Sequence, residues 1–283
     1  MSTLRSEGNA VTVRPVLTMD EYRSVEAIQR QVWAMSHDLE VVPLHLLVTA
    51  TRSGGMLMGA FRGEAMVGFV FGFPGLTAEG KLKQCSHMMG VLPGAQSSGI
   101  GTQLKLAQRA FVLAQGLDLI TWTYDPLQSR NAYLNIAKLG AVCRTYHRDF
   151  YGELVDGLNA GLPSDRLEVE WWIASERVAR RLGAAQHRPR PVAAVQVNET
   201  QVMPGGLVAP GTLYFGASAA TIQVEIPAEF QAVRDADPGL AREWRIATRQ
   251  LFEAYFEAGY SVVDFVSCPV DGLRRSFYLL DRD

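Results

Sequence analysis

The sequence predicts an α/β protein of mixed α+β character, a central mixed sheet flanked by helices with a smaller α+β region behind it. Two observations carry this. Up to about residue 174, β-type runs and helical periodicities follow one another in the order β-α-α-β-β-β-α-β-α-β-β. The composition then shifts across the basic, Pro-containing stretch SERVARRLGAAQHRPRP, after which strands and one long helix resume. The expected organisation is a disordered N-terminus over 1–10, a first domain over 11–174, a helix and linker over 175–191, and a C-terminal subdomain over 192–283.

Each element has its own reason. VTVRPVL (11–17) is β-type, and Thr18 or Asp20 caps a helix to about Met35 with Val25, Ile28 and Val32 on one face. PLHLLVTATRSGG reads as a shorter helix stopped by glycine. MLMGAF and MVGFVFGF flank RGE as a hairpin, and KLKQCSHMMGVLP is a further strand stopped by Pro93. From Gly99 the period changes: Ile100, Leu104, Ala107, Phe111 and Ala114 form one helical face, and Gly116 marks the end. LITWTY is a strand, Ser129 to Leu139 a helix closed by Gly140, and AVCRTYHRDFY and LEVEWWIA two more strands. Beyond the break, AAVQVN, TLYFGA and TIQVEIP read as strands. A helix follows from about Pro238 to Ala258, then YSVVDFVSC and RSFYLLDR as final strands.

Composition excludes several classes of function. With 48% hydrophobic and 20% charged residues the chain is globular, and its net charge of −2 supplies no basic face for nucleic acid. Cys85, Cys143 and Cys268 lie far apart with no CxxC or Cys/His spacing, so no metal site is expected and a reduced interior is. No apolar run reaches the roughly 18 residues of a membrane span, and MSTLRSEGNA lacks a signal-peptide core. A cytoplasmic protein with no membrane partner is the expectation.

The stretch VLPGAQSSGIGTQLKLAQRA places glycines at 94, 99 and 101 ahead of a long helix, the pattern of a backbone anion grip. A P-loop fails because Ile100 and Gly101 stand where Lys and Ser/Thr are needed. A Rossmann fingerprint fails because GxxxxGxG is the wrong spacing and follows a late strand. QxxGxG over Gln96, Ser97, Ser98, Gly99, Ile100 and Gly101 fits a pyrophosphate held by first-turn N–H groups and the helix dipole. A glycine cap without any ligand is the plain alternative.

MMGVLPGAQSSGIGTQLKLAQRAF is similar to the acyl-CoA-binding motif of the GNAT acyltransferase superfamily. ITWTYDPLQSRNAYLNIAKLGA looks like that superfamily's next strand and helix. The likeness in element order covers about 11–174 and is specific over 88–141. DPLQSRNAYLN, YHRDFYG and SDRLEVEWW further resemble a bacterial branch with a C-terminal extension, some members of which are associated with amino-acid N-acylation. The resemblance implies that Gln96, Ser97, Ser98, Gly99, Ile100, Gly101 and Thr102 hold the CoA pyrophosphate. The strand at Met89, Gly90 and Val91 would pair with the pantetheine arm, with an N–H near Val91 against the acyl carbonyl. Acetyl-CoA or another acyl-CoA would be the co-substrate, and a small-molecule amine such as an amino acid would attack the thioester directly.

The family's general-acid tyrosine falls at Ile136, a departure from the pattern. Tyr133, earlier on nearly the same helix face, is then the candidate acid, against a plain packing role. The family's carboxylate base matches Cys85 and His87, and His87 is the better base, against a structural histidine. Asn131 and Asn135 are candidates for the CoA arm, Asn131 alternatively as a helix cap. Asp38 and Glu40 are candidates for holding a cationic amine, alternatively solvated loop carboxylates. Arg144, His147 and Arg148 form a basic cluster that either reads a carboxylate or is a surface charge run. The C-terminal region would wall the acceptor site or build a homodimer interface. The leading reading is an N-acyltransferase moving acetyl or succinyl; the rival is an acyl-CoA-binding regulatory module without catalysis.

Overall fold

The computed structural model describes residues 10–35, 40–96, 98–152, 161–183, 193–203 and 205–282. The chain packs as two compact units whose boundary lies between Thr121 and Trp122, inside a strand.

The first unit carries β1 (Val11–Pro15), α1 (Met19–Trp33), α2 (Leu44–Arg52), β2 (Met56–Arg62), β3 (Ala65–Leu76), β4 (Leu82–Val91), α3 (Ile100–Ala114) and the start of β5 (Leu119–Tyr124). Its strands run in the order β1-β2-β3-β4-β5, antiparallel except for the parallel β4–β5 step. α1 begins at Thr18, whose hydroxyl accepts from Glu21 N while Glu21 Oε2 accepts from the Thr18 amide, a reciprocal cap that satisfies two terminal donors. Tyr22, Val25 and Ile28 of α1 and Leu47 of α2 cover one sheet face together with Phe69 and Phe71. Ile100 and Leu104 of α3 cover the other, against Met58, Val70, Met89 and Val91. α3 buries two residues that periodicity assigns to no apolar face, Lys105 and Gln108.

The second unit begins in β5 and holds α4 (Ser129–Ala132), β6 (Val142–His147), β7 (Arg166–Trp172), α5 (Glu176–Gly183), β8 (Val195–Gln196), β9 (Asn198–Val202) and β10 (Val208–Leu213). β11 (Thr221–Ile226), α6 (Phe230–Ala236), α7 (Pro238–Glu257), β12 (Tyr260–Val270) and β13 (Leu273–Arg282) complete it. Strand order is β5-β7-β6-β12-β13-β11-β8, with β9 and β10 as a separate hairpin. The strand expected at TLYFGA ends at Leu213, and α6 and β9 are additions to the expected list.

The boundary thus departs from the break expected over 175–191. β12 pairs with β6 through Val262 and Cys143, so the C-terminal strands extend the sheet that β6 and β7 begin. α5 is also no bare tether. Arg177 donates to the carbonyls of Gly140 and Val263, and Arg181 pairs with Asp264 at 2.8 Å. Trp171, Trp244, Phe252, Tyr255, Phe265 and Tyr278 are buried in this unit. No helix among the described residues is long and apolar enough to cross a membrane.

Candidate active site

In the first unit the site is built on β4 and the turn that follows it. The β4–β5 ladder consists of Gln84↔Ile120 and Cys85↔Thr121, whereas β4 itself continues to Val91. Leu92 N donates to Val67 O, which makes Val67/Leu92 a hydrogen-bonded pair and the neighbouring Gly68/Val91 a non-hydrogen-bonded one. The backbone polar groups of Val91, and by alternation those of Met89, therefore point away from β3. The Val91 carbonyl on that edge accepts from Gln96 Nε2 at 2.9 Å, which pins the following turn to the strand.

Gly99 is the N-cap of α3 with φ 83° and ψ −1°, a left-handed conformation that strains any side chain, and its missing Cβ faces open space. Ser98 Oγ donates to Ala95 O at 2.6 Å, and the first helical bond runs from Gln103 N to Gly99 O. Among the described residues no side chain caps this helix. The N–H groups of Ile100, Gly101 and Thr102 thus stand ahead of the helical ladder at the positive end of the α3 dipole. Ser97 lies outside the described residues.

His87 is the extra residue of a β-bulge. β3 and β4 pair as Gly72↔Ser86 on one side of it and Phe71↔Met88 on the other, leaving His87 without a partner. The bulge puts His87 on the α1/α2 face beside the rings of Phe71 and Phe73, at 6.1 and 5.8 Å between centroids. Cys85, opposite Phe73, shares that face. His87 keeps an exposed edge, yet the desolvation of its ring lowers its pKa below the ordinary 6.5, which favours the neutral imidazole. Gly90 is where Trp33 closes over β4: a Cβ there would meet Phe69 and Trp33 at 3.2 Å.

On the opposite face of β4 lies a buried polar network that sequence reasoning missed. Lys105 Nζ donates to Ser86 Oγ at 2.8 Å and to Gln108 Oε1 at 3.2 Å, and Gln108 Nε2 donates to Gln84 Oε1 at 2.9 Å. Burial lowers the Lys105 pKa from 10.5 to about 7. Glu40 is half-buried, and Asp38 lies outside the described residues.

In the second unit, α4 continues as a π-helical turn over Tyr133–Lys138, with Leu139 N donating to Leu134 O at 3.0 Å. The wider turn separates Tyr133 from Ile136, contrary to the expected common face. Tyr133 is 38% exposed beneath the Lys138 ammonium, whereas Ile136 is wholly buried. Asn131 is exposed. Asn135 is buried, and its side-chain amide makes no hydrogen bond among the described residues. The basic cluster is matched by carboxylates: Arg144 to Glu170 at 3.1 Å, His147 to Glu168 at 2.9 Å, and Arg148 to Glu253 at 2.6 Å. Asp125 accepts from Leu127 N at 2.9 Å, as a cap would, and also receives both terminal nitrogens of Arg245 at 2.8 and 2.7 Å.

No family model matches the chain, and no curated protein is similar to it. Among solved structures, a GNAT-family protein from Desulfovibrio desulfuricans is 18% identical over 58% of this chain and 100% of its own, with a TM-score of 0.46. The ribosomal-protein-S18-alanine N-acetyltransferase of Escherichia coli is 12% identical over 59% of this chain and 96% of its own, at 0.46. A GNAT-family acetyltransferase from Streptococcus pneumoniae is 14% identical over 57% of this chain and 98% of its own, also at 0.46. The structures it resembles are GNAT-type acetyltransferases.

Proposed function

We propose that the protein is an acyl-CoA-dependent N-acyltransferase, moving an acetyl group, with succinyl as the alternative, to the amine of a small molecule such as an amino acid. The observation that carries this reading is the Gly99 turn. A left-handed glycine, an uncapped helix N-terminus and an open space at the missing Cβ leave room and donors for a pyrophosphate. The free edge of β4 supports it, since the backbone groups of Met89 and Val91 that face away from β3 suit the amides of a pantetheine arm. Val91 N–H would then stabilise the oxyanion of a tetrahedral intermediate formed by direct attack of the amine. The neutral His87 imidazole would take the proton of the incoming ammonium, with Tyr133 as candidate donor to the leaving thiolate. Asn131 and Asn135 are assigned to the CoA arm, and Asp38 and Glu40 to the amine. No metal is required, and the protein would work in the cytoplasm as a monomer or homodimer.

A second reading, an acyl-CoA-binding regulatory module, draws on Ile136, whose complete burial leaves no proton donor at that place. One experiment separates the two. The chain is incubated with acetyl-CoA or succinyl-CoA and a panel of amines, and products are read by mass spectrometry together with CoA release. An acylated amine supports the enzyme, and tight CoA binding without release supports the module.

A further inference from the structure

The second unit holds a cluster that the acyl-transfer reading does not use. Asn198 is buried and clasps the backbone of Glu225, accepting from its N–H at 2.8 Å and donating to its carbonyl at 3.0 Å. This fixes Glu225, a buried carboxylate, which accepts from Thr200 Oγ1 at 3.0 Å, from Gln196 Nε2 at 3.2 Å and from the Nε and Nη2 atoms of Arg275. Arg275 is therefore rigid, with one edge of its fork consumed and Nη1 making no hydrogen bond among the described residues. Arg275 lines a wide-open, largely polar pocket of about 490 Å³. Glu199, whose carboxylate accepts from the Tyr214 hydroxyl, and Gln201 line the same pocket.

The charges select the ligand. Glu225 already balances Arg275, and Glu199 adds a second carboxylate, so a phosphate or other dianion would be repelled. A simple amine would suit Glu199 and leave Arg275 Nη1 unanswered. A molecule bearing one carboxylate and one ammonium close together satisfies both, each charge-assisted bond being stronger than a neutral one. We propose that this pocket binds a free α-amino acid, its carboxylate on Arg275 Nη1 and its ammonium on Glu199, with the side chain along Gln196 and Gln201. The site shares no residue with the proposed acyl-transfer machinery and stands without it.

The test uses the whole chain and reads binding, not turnover. Each common L-amino acid is added at millimolar concentration, with acetate and methylamine as half-ligand controls, and hits from thermal melting are titrated by calorimetry. The expected result is saturable binding of at least one amino acid and of neither control. Glu199→Gln, at an exposed position, should weaken that binding about tenfold or more, the loss of one charged contact. Arg275→Lys should weaken it similarly where the variant folds. Three results overturn the proposal: no saturable amino-acid binding, acetate or methylamine binding as well as the amino acid, or Glu199→Gln leaving the affinity within about twofold, which would place the ligand elsewhere.

Discussion

Lys105 Nζ lies 2.8 Å from Ser86 Oγ, an ammonium-bearing side chain from α3 inserted against the polar stripe of β4. Burial disfavours the charged form and brings its pKa from 10.5 down to about 7. Between those values the unfolded chain holds more protons than the folded one, so stability rises with pH across the window and is lost as pH falls from 10.5 to about 7. Lys105→Met keeps the length of the stem and lets Ser86 Oγ keep its 3.0 Å bond to Gln108 Oε1. The variant should be more stable than the parent at pH 7 by roughly 1–3 kcal/mol. That advantage should shrink by about 2 kcal/mol when denaturant unfolding is repeated near pH 9.

Gly99→Val tests the turn. Nothing within 4 Å crowds the missing Cβ, so the cost in the free protein is the positive φ alone, roughly 1–2 kcal/mol for a side chain. The functional cost is separate. CoA at a hundred times its dissociation constant should stabilise the parent by about 2.7 kcal/mol, read as a rise in melting temperature. The variant should lose most of that rise, and neither ATP nor NAD should produce a comparable one in the parent. Equal CoA shifts in the two proteins would remove the turn from the binding site.

As the proposed base, His87 should set the acid limb. Desolvation lowers its pKa, so kcat/KM for the acyl transfer should climb through a pKa below 6.5 and level off above it. His87→Gln should remove this limb and reduce turnover by about 10²–10⁴, with CoA binding nearly unchanged. Tyr133→Phe should act on the basic limb. Turnover within about threefold of the parent in both variants would leave orientation and the Val91 N–H as the source of rate.

Arg245 and Asp125 are a buried pair joined by two bonds, and Arg245 Nε is a buried donor with no partner among the described residues. Burial alone would raise the Asp125 pKa, but the Arg245 charge prevails and holds it below 3.8. The stability this confers is complete above the ordinary carboxyl range and is lost as pH falls from 3.8 through the lowered value. Arg245→Met strands the carboxylate and should cost roughly 3–5 kcal/mol in chemical denaturation.

Much of this was legible from residues alone. Thr18, one of the two caps offered by the residues, announces α1, and the change of period at Gly99 announces α3. The polar network was not, because Lys105 and Gln108 are outward-type residues by composition. Their burial depends on Ser86 and Gln84, which lie far away in the chain. The π-helical turn is invisible to periodicity for a related reason. One wider turn leaves the helix its expected length but rotates Tyr133 away from Ile136. α6 and β9 escaped because they are short, and NETQV lacks an apolar alternation. Part of the candidate site was foreseeable because a glycine turn is a local backbone property, whereas the surroundings of His87 depend on its pairing with β3.

The unpartnered position of His87 has a consequence for what can be removed. Gly72↔Ser86 and Phe71↔Met88 would be consecutive rungs if the chain were one residue shorter there. Excising His87 should therefore perfect the ladder, with Ser86 and Met88 keeping their present sides of the sheet. For most interior strand positions a deletion throws every residue beyond it onto the wrong side. Here it is the full-length strand that is out of step, and the surplus residue is the one to which the chemistry is assigned. A shortened protein that melts normally, still takes up CoA and turns over nothing would mark the bulge as an insertion kept for its side chain.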